Sequence, residues 1–230
     1  MKGGSPGLLF MEVSAVAFEW KDLAEDFSDR QRAIVGEAFY DEVARTMLQW
    51  EDLGDALEVA CGDGGFTSLF VPKARRLVAT DLEEAMCRVA RERLSVWTHA
   101  EVRQADLFDL PFGEKSFDTV LALNILHVLP NRTGALREMR RMLREGGRLL
   151  LMDFGTDGMS FDEVMAMAGR YQRAFGPVED RKQPVSFDQL AEEIETSGFE
   201  ILNQERLCSP TGGRSSSEGA AEGDGLRAEL

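Results

Sequence analysis

The most informative segment of the chain reads Ala56-Leu57-Glu58-Val59-Ala60-Cys61-Gly62-Asp63-Gly64-Gly65-Phe66-Thr67. Its first four residues predict a short buried strand, residues 61–65 a glycine turn, and residues 66–70 the start of a helix. A glycine turn between a first strand and a helix lets the backbone approach a nucleotide-like ligand closely. Thr67 stands where the dinucleotide fingerprint has its third glycine, which argues against NAD or FAD as that ligand.

Strands and helices continue to alternate after this turn. Strands are predicted at 76–80, 101–104, 117–123 and 148–153, and helices at 83–94 and at 132–144, the latter ended by Gly146-Gly147. This rhythm predicts an α/β fold, with a doubly wound, mostly parallel sheet that carries helices on both faces.

The flanking segments suggest three regions. Residues 1–50 are predicted to be an N-terminal segment with a helical cap, and residues 51–208 to be the main domain, which ends in helices at 161–175 and 186–197 and a strand at 199–203. Residues 209–230 are rich in Ser, Gly, Glu and Ala, so a disordered tail is expected there.

Composition narrows the class of protein. The formal net charge is −15, which disfavours contact with nucleic acid or with an anionic membrane surface. Three cysteines without metal-ligand or disulfide spacing suit a reducing cytoplasm, and no metal site is predicted. No run is apolar enough to span a bilayer, and Glu12 interrupts the apolar segment 8–18, which is interpreted as strand-like or core-docking rather than as a signal peptide.

Acidic residues lie at the ends of three successive predicted strands. Glu58 lies in the first strand, Asp81 follows the second, and Asp106 follows the third. A carboxylate at the second position can accept hydrogen bonds from both hydroxyls of a ribose. Three such acids favour a cationic ligand that contains ribose, and they would repel a pyrophosphate.

These residues resemble the motifs of a known family. Residues 58–64 are similar to the first motif of class I S-adenosylmethionine-dependent methyltransferases, which have a Rossmann-like fold, and Asp81 and Ala105-Asp106 resemble the next two motifs. Residues 110–112, 116–120, 126–129 and 143–149 also look like this family. The resemblance extends from Leu57 to Asp153, and it is greatest to small-molecule enzymes of the quinone- and sterol-methylating kind.

The resemblance implies S-adenosylmethionine as cofactor and assigns roles to individual residues. Glu58 and Asn124 would hold the methionine end, while Ala60, Gly62 and Gly64 would leave it room. On the nucleoside side, Asp81 would bind the ribose and Asp106 the adenine, with Leu82 and Leu107 beside the ring.

His127 is the candidate catalytic base, because it follows the fourth strand at the edge where such sheets bind ligands. The alternative role for His127 is local packing. The helix at 161–175 contains Met165, Met167 and Tyr171, and it either contributes to the site of a small-molecule methyl acceptor or packs on the sheet.

The sequence departs from the family in two places. Ala60 replaces a glycine that is frequent there, and only one strand is evident where the family ends in an antiparallel pair. We therefore expect an atypical C-terminal edge, either without its last strand or with that strand supplied by another segment. One hypothesis is that residues 8–18 pair there.

Three other functions remain open at this stage. An RNA or protein methyltransferase would be expected to have a basic groove, a recognition domain or an acceptor motif with consecutive prolines, which Asn124-Ile125-Leu126-His127 is not. A non-catalytic protein that binds the cofactor would keep the three acids and lack turnover. A nicotinamide oxidoreductase is disfavoured by Thr67 and Asp106.

Overall fold

The fold is built on one mixed sheet with the strand order β3-β2-β1-β4-β5-β7-β6. The computed structural model describes residues 20–153, 155, 159–175, 186–204 and 227–229. The strands are β1 Gly54–Val59, β2 Ala74–Asp81, β3 Ala100–Gln104, β4 Phe117–Leu123, β5 Leu143–Met152, β6 Glu200–Asn203 and β7 Arg227–Glu229. The α-helices are α1 Phe27–Val35, α2 Glu37–Leu48, α3 Thr67–Phe70, α4 Glu84–Leu94, α5 Arg132–Met142, α6 Phe161–Phe175 and α7 Phe187–Thr196, with short 3-10 segments at Trp20–Leu23, Val71–Lys73 and Leu126–Val128.

The first five strands are parallel, as predicted. Leu57 of β1 pairs with Val78 of β2 on one side and with Val120 of β4 on the other. Strand β4 pairs in turn with β5, and Leu123 lies opposite Met152 at their ends. The carboxyl ends of β1, β2, β4 and β5 therefore meet at one edge of the sheet.

Both faces of the sheet are covered by helices. On one face, Val120 and Ala122 of β4 share a core with residues of α5 and α7. On the other face, Leu121 and Leu123 pack in a core that contains residues of α2, α3 and α4. This alternation explains why β4 is apolar from Val120 to Leu123, since a parallel strand buried on both faces needs apolar side chains in both directions.

The C-terminal edge differs from its prediction. Strand β7 lies between β5 and β6 and is antiparallel to both, with Ala228 opposite Leu149 and Ile201. The last strand is therefore present, and the expectation of a wholly disordered tail is wrong for residues 227–229. The segment 8–18, which was the alternative candidate for this position, lies outside the described residues.

Several helices and strands begin or end at residues other than those predicted, although their types agree with the prediction. Helix α5 ends at Met142, and Gly146 and Gly147 lie inside β5 instead of ending the helix. The predicted N-terminal helical region divides at Gly36, whose φ of 89° breaks it into α1 and α2. Helix α6 has the predicted bounds, and the Ser186 side chain caps α7 by accepting a hydrogen bond from Gln189 N. Within the described residues, no helix has the length and hydrophobicity required to cross a bilayer.

Candidate functional site

The turn after β1 has a left-handed backbone at alternate residues. Ala60, Gly62 and Gly64 have φ angles of 53°, 57° and 75°. Glycine adopts this conformation without a Cβ clash, whereas Ala60 carries a cost of about 1 kcal/mol. The turn is fixed to the neighbouring strand, because Cys61 N donates to Thr80 O at 2.9 Å and Gly62 N donates to Asp81 Oδ2 at 2.9 Å.

Neighbouring protein atoms lie close to Gly62 and Gly64, on the side of each glycine where another residue would carry its Cβ. A Cβ on Gly62 would lie 3.0 Å from Cε1 of Phe27, and one on Gly64 would lie 3.2 Å from Cβ of Ala90. Close packing by α1 and α4 is therefore one reason for glycine at each position. The role of these glycines beside a cofactor stays a prediction.

Glu58 is buried at the end of β1, where it is 1% exposed. Its Oε2 accepts a hydrogen bond from Thr67 Oγ1 at 2.6 Å. Burial raises the pKa of Glu58 to about 8, against the effect of the Thr67 hydrogen bond, and the Asp81 and Asp63 carboxylates raise it further. A buried carboxyl of this kind is neutral at pH 7 until a cation approaches it.

Asp81 ends β2 and faces the same turn. Its Oδ1 accepts a hydrogen bond from Glu83 N at 2.9 Å, in addition to the Gly62 contact at Oδ2. Burial raises the pKa of Asp81, while the backbone hydrogen bonds from Glu83 and Gly62 oppose that change. Two carboxylate oxygens offer about four acceptor positions, so capacity for further donors remains.

Asp63, which sequence reasoning did not select, fastens the turn to two helices. Its carboxylate accepts hydrogen bonds from Ser28 N at 3.2 Å, Ser28 Oγ at 2.7 Å and Gly65 N at 3.0 Å, and it forms an ion pair with Arg93 at 2.9 Å. No sequence signal links these partners, because Ser28 and Arg93 are far from Asp63 in the chain.

The predicted adenine side contains one exposed acid and two leucines in different environments. Asp106 is exposed, and its Oδ1 accepts a hydrogen bond from Phe108 N at 2.9 Å. Leu82 is 60% exposed, whereas Leu107 is 8% exposed and packs in the core beneath the sheet. Of the two leucines, only Leu82 presents a free surface for a planar ring.

Asn124 lies directly after β4 and contains an unsatisfied buried atom. Its φ is 57°, a conformation that asparagine tolerates better than most residues. Its Nδ2 donates to Gln31 Oε1 at 3.0 Å, while its buried Oδ1 has no hydrogen-bond partner among the described residues. A buried acceptor without a partner is costly, and a ligand N–H would satisfy it.

His127 is paired with Asp153, a residue that sequence reasoning did not assign to the site. The ring Nδ1 of His127 lies 2.6 Å from Asp153 Oδ1, and His127 N donates to Asp153 Oδ2 at 3.1 Å. The His127 side chain is 29% exposed and that of Asp153 is 6% exposed.

Helices α1 and α6 pack against each other beside the turn. The rings of Phe27 and Phe175 lie 6.1 Å apart, and Arg170 Nε donates to Ile34 O at 2.5 Å. Met167 and Tyr171 pack in the same cluster, so this part of α6 contacts other residues of the protein. Phe161 and Met165 are exposed, which leaves the first half of α6 as the part available to an acceptor.

The structure therefore brings Glu58, Gly62 and Asp81 together and places Asn124 and His127 after the neighbouring strand. Within the described residues, no three His, Cys, Asp or Glu side chains are grouped in a way that could hold a metal ion.

Sequence comparison identifies the class of this domain. Residues 57–151 match the family described as "Methyltransferase domain". The sheet order, the glycine turn and the acidic strand ends agree with that match. Residues 57–151 therefore carry a class I S-adenosylmethionine-dependent methyltransferase domain.

Particular relatives resemble parts of the chain. A ubiquinone/menaquinone biosynthesis C-methyltransferase UbiE from Pseudomonas fluorescens (strain Pf0-1) is 38% identical over 104 residues, covering 43% of this chain and 41% of that protein. The chain thus spans about two fifths of the length of this curated relative. The structure of an S-adenosylmethionine-dependent methyltransferase from Aquifex aeolicus has a TM-score of 0.61 at 16% identity. The match covers 93% of this chain and 99% of the Aquifex chain.

The same fold also occurs in a protein that is named for a different activity. The structure of the [4+2]-cyclase SpnF has a TM-score of 0.60 at 18% identity, and the match covers 82% of this chain and 76% of the SpnF chain. At such low identities the likeness concerns the fold alone, so the activity must be argued from the site.

Proposed function

We propose that this protein binds S-adenosylmethionine and catalyses methyl transfer to a small-molecule acceptor. The observation that carries the proposal is a set of hydrogen-bond acceptors around the left-handed turn: the carboxyls of Glu58 and Asp81 and the unsatisfied Oδ1 of Asn124. Such a set suits a ligand that has an ammonium group, ribose hydroxyls and a positive sulfur.

Each residue has a distinct role in this proposal. Glu58, directly or through a water, and Asn124 bind the methionine end, Asp81 accepts the ribose hydroxyls, and Asp106 accepts from the adenine amino group while Leu82 packs on the ring. Ala60, Gly62 and Gly64 provide the close backbone approach. Leu107 supports this surface from the core, because it is buried there.

When bound, S-adenosylmethionine supplies a methyl group already activated by its sulfonium. The chain therefore mainly orients the acceptor and excludes water. Helices α1 and α6 suit this task because they pack together beside the turn, and Phe27 lies directly against Gly62. His127 is the proposed base for an acceptor that must lose a proton.

A small acceptor is favoured over RNA by the net charge of −15, which repels a polyanion. The Pseudomonas relative is named for methylation at carbon in quinone biosynthesis, and a quinone precursor is also a small-molecule acceptor. A cytoplasmic location remains part of the proposal.

The second candidate function is cofactor binding without turnover. It is favoured by the packing of Phe27 against Gly62, because the ring adjoins the turn where the methionine end is proposed to lie. Turnover of a radiolabelled methyl group in the presence of extracts containing quinols, amines, sterols or RNA separates the two functions.

Calorimetric titration with S-adenosylmethionine, S-adenosylhomocysteine and NAD tests the ligand class. We expect binding of the first two ligands only. Asp81→Ala should weaken binding at least tenfold, because the ribose hydroxyls lose their acceptor. Asp41→Ala, which removes an exposed acid from α2, is the matched control. Absence of binding by the folded wild-type protein, or full affinity in Asp81→Ala, would contradict the proposal.

A further inference from the structure

The pairing of His127 with Asp153 joins the ends of two neighbouring strands. His127 lies in the 3-10 segment that follows β4, and Asp153 follows β5 immediately. Because Leu123 and Met152 are paired at the ends of these strands, both residues lie at the carboxyl edge of the sheet. Asn124 N donates to Met152 O at 2.6 Å, which fixes the spacing of the two strand ends.

The Asp153 carboxylate holds His127 at two points. One oxygen contacts the ring Nδ1 and the other accepts from the backbone N–H of the same residue. Both contacts restrict rotation of the ring and of the carboxylate. An ionised carboxylate only accepts hydrogen bonds, so the proton of a neutral imidazole lies on Nδ1 and the lone pair on Nε2.

The other ring nitrogen remains available. Among the described residues, no protein group is hydrogen-bonded to Nε2 of His127, and the side chain is partly exposed at the edge that holds the turn and Asn124.

We propose that Asp153 is a positioning residue that presents Nε2 of His127 as the proton acceptor for a hydroxyl-bearing methyl acceptor. This inference rests on the proposed function and specifies the chemistry of its acceptor. The acceptor oxygen bonds to the methyl carbon as the carbon–sulfur bond breaks. The electron pair of that bond stays on sulfur, and the hydroxyl proton passes to Nε2 to give an imidazolium.

The imidazolium formed in that step lies against the Asp153 carboxylate, whose Oδ1 is 2.6 Å from the ring Nδ1. Opposite charges at that distance attract each other. Arg132, at the start of α5, is engaged by Glu193 of α7 through two contacts of 2.6 Å.

Nuclear magnetic resonance of the histidine rings tests the positioning role without any turnover. The chain has only two histidines, and the other one, His99, has its Nε2 3.1 Å from Val71 O. A carbonyl is an acceptor, so His99 should carry its proton on Nε2. In nitrogen-15 spectra at pH 8 we expect opposite tautomers, Nδ1–H for His127 and Nε2–H for His99, assigned with His127→Gln.

Asp153→Asn should abolish the Nδ1–H preference of His127 and leave the His99 signals unchanged. Asp41→Asn, which changes an exposed residue of α2, should alter neither ring. An Nε2–H tautomer at His127 in the wild-type protein, or an unchanged His127 tautomer in Asp153→Asn, would overturn the positioning role.

Phenols of graded acidity test the hydroxyl acceptor. We expect Asp153→Asn to lower kcat at least tenfold with hydroquinone and 4-methoxyphenol, and far less with 4-nitrophenol, which is largely ionised at pH 8. Affinity for S-adenosylmethionine should stay unchanged. Equal losses with all three phenols would overturn the proton-acceptor role.

The proposed function and this inference fail in different ways. Wild-type protein that binds S-adenosylmethionine, ignores the phenols and methylates proton-free nucleophiles such as nicotinamide or a thioether would overturn the hydroxyl assignment alone. Protein that does not bind S-adenosylmethionine would overturn the proposed function, whichever tautomer the spectra give.

Discussion

Glu58 combines full burial with an ionisable group, which is costly unless the group is neutral or paired. With a pKa of about 8 it holds a proton at pH 7 in the ligand-free protein. The Thr67 hydroxyl donates to it, and no described basic side chain forms an ion pair with it. The residue is thus prepared to gain a cationic partner.

Cofactor binding should therefore release a proton from Glu58. An approaching ammonium favours the carboxylate, so affinity should increase from pH 6 to pH 8, at most about tenfold per unit, and level off above the pKa of the free protein. Calorimetry at pH 7 in buffers of different ionisation enthalpy measures the released proton. Glu58→Gln should release none, and equal proton release by both proteins would contradict this role.

The same residue should make stability depend on pH. Its folded pKa of about 8 lies above the ordinary value of 4.5, so its contribution to stability is fully present below pH 4.5 and is lost as pH rises to about 8. Relative to Glu58→Gln, the unfolding free energy of the wild-type protein should fall by up to about 1.4 kcal/mol per pH unit. Urea denaturation at pH 5 and pH 8 checks this, and a constant difference between the two proteins would refute it.

Asp63 acts at the scale of elements, because it joins the glycine turn to α1 through Ser28 and to α4 through Arg93. Together with Phe27 on Gly62 and Gln31 on Asn124, it places α1 beside the candidate site. The position of this helix therefore depends on a few contacts between residues distant in the chain.

Replacing Asp63 should loosen that arrangement. Asp63→Ala leaves the buried N–H of Gly65 and the Arg93 guanidinium without their acceptor, and we expect a loss of about 3 kcal/mol. Urea denaturation measures the loss, and amide exchange should accelerate in α1. Asp41→Ala is the control, and a loss below about 1 kcal/mol would show that Asp63 does not hold these elements.

The last strand offers a second test at this scale. Strand β7 satisfies backbone groups of both β5 and β6, so deletion of residues 227–230 should expose both strand edges. Hydrogen exchange should increase at Ile201 and Leu149. Strand β3, at the opposite edge of the sheet, is the internal control and should not change. Unchanged exchange at Ile201 would contradict the pairing.

The whole molecule carries a net charge of −15, and this determines its long-range behaviour. Two arginines of α5 are paired with acids, Arg132 with Glu193 and Arg141 with Glu138. A negative field of this size slows the approach of polyanions and permits that of neutral or cationic molecules.

RNA binding should consequently be absent. We expect no change in the fluorescence anisotropy of labelled transfer RNA with up to micromolar protein at 50 mM salt, where phosphate contacts are strongest. A charge-reversed control at an exposed acid of α2, Asp41→Lys, should bind no better, because a change of two charge units leaves most of the net charge of −15 in place. Salt-sensitive binding by the wild-type protein would favour the RNA methyltransferase alternative.

The sequence by itself determined the parallel sheet, the positions of most helices and the acids at the strand ends, because these depend on local periodicity and on glycine and charge at fixed spacing. It did not determine the last strand, since Arg227–Glu229 is short and contains no run of apolar residues. Nor did it identify Asp63 and Asp153, whose roles depend on partners 35 and 26 residues away. Such contacts form only when packing brings distant segments together, so only the tertiary structure decided them.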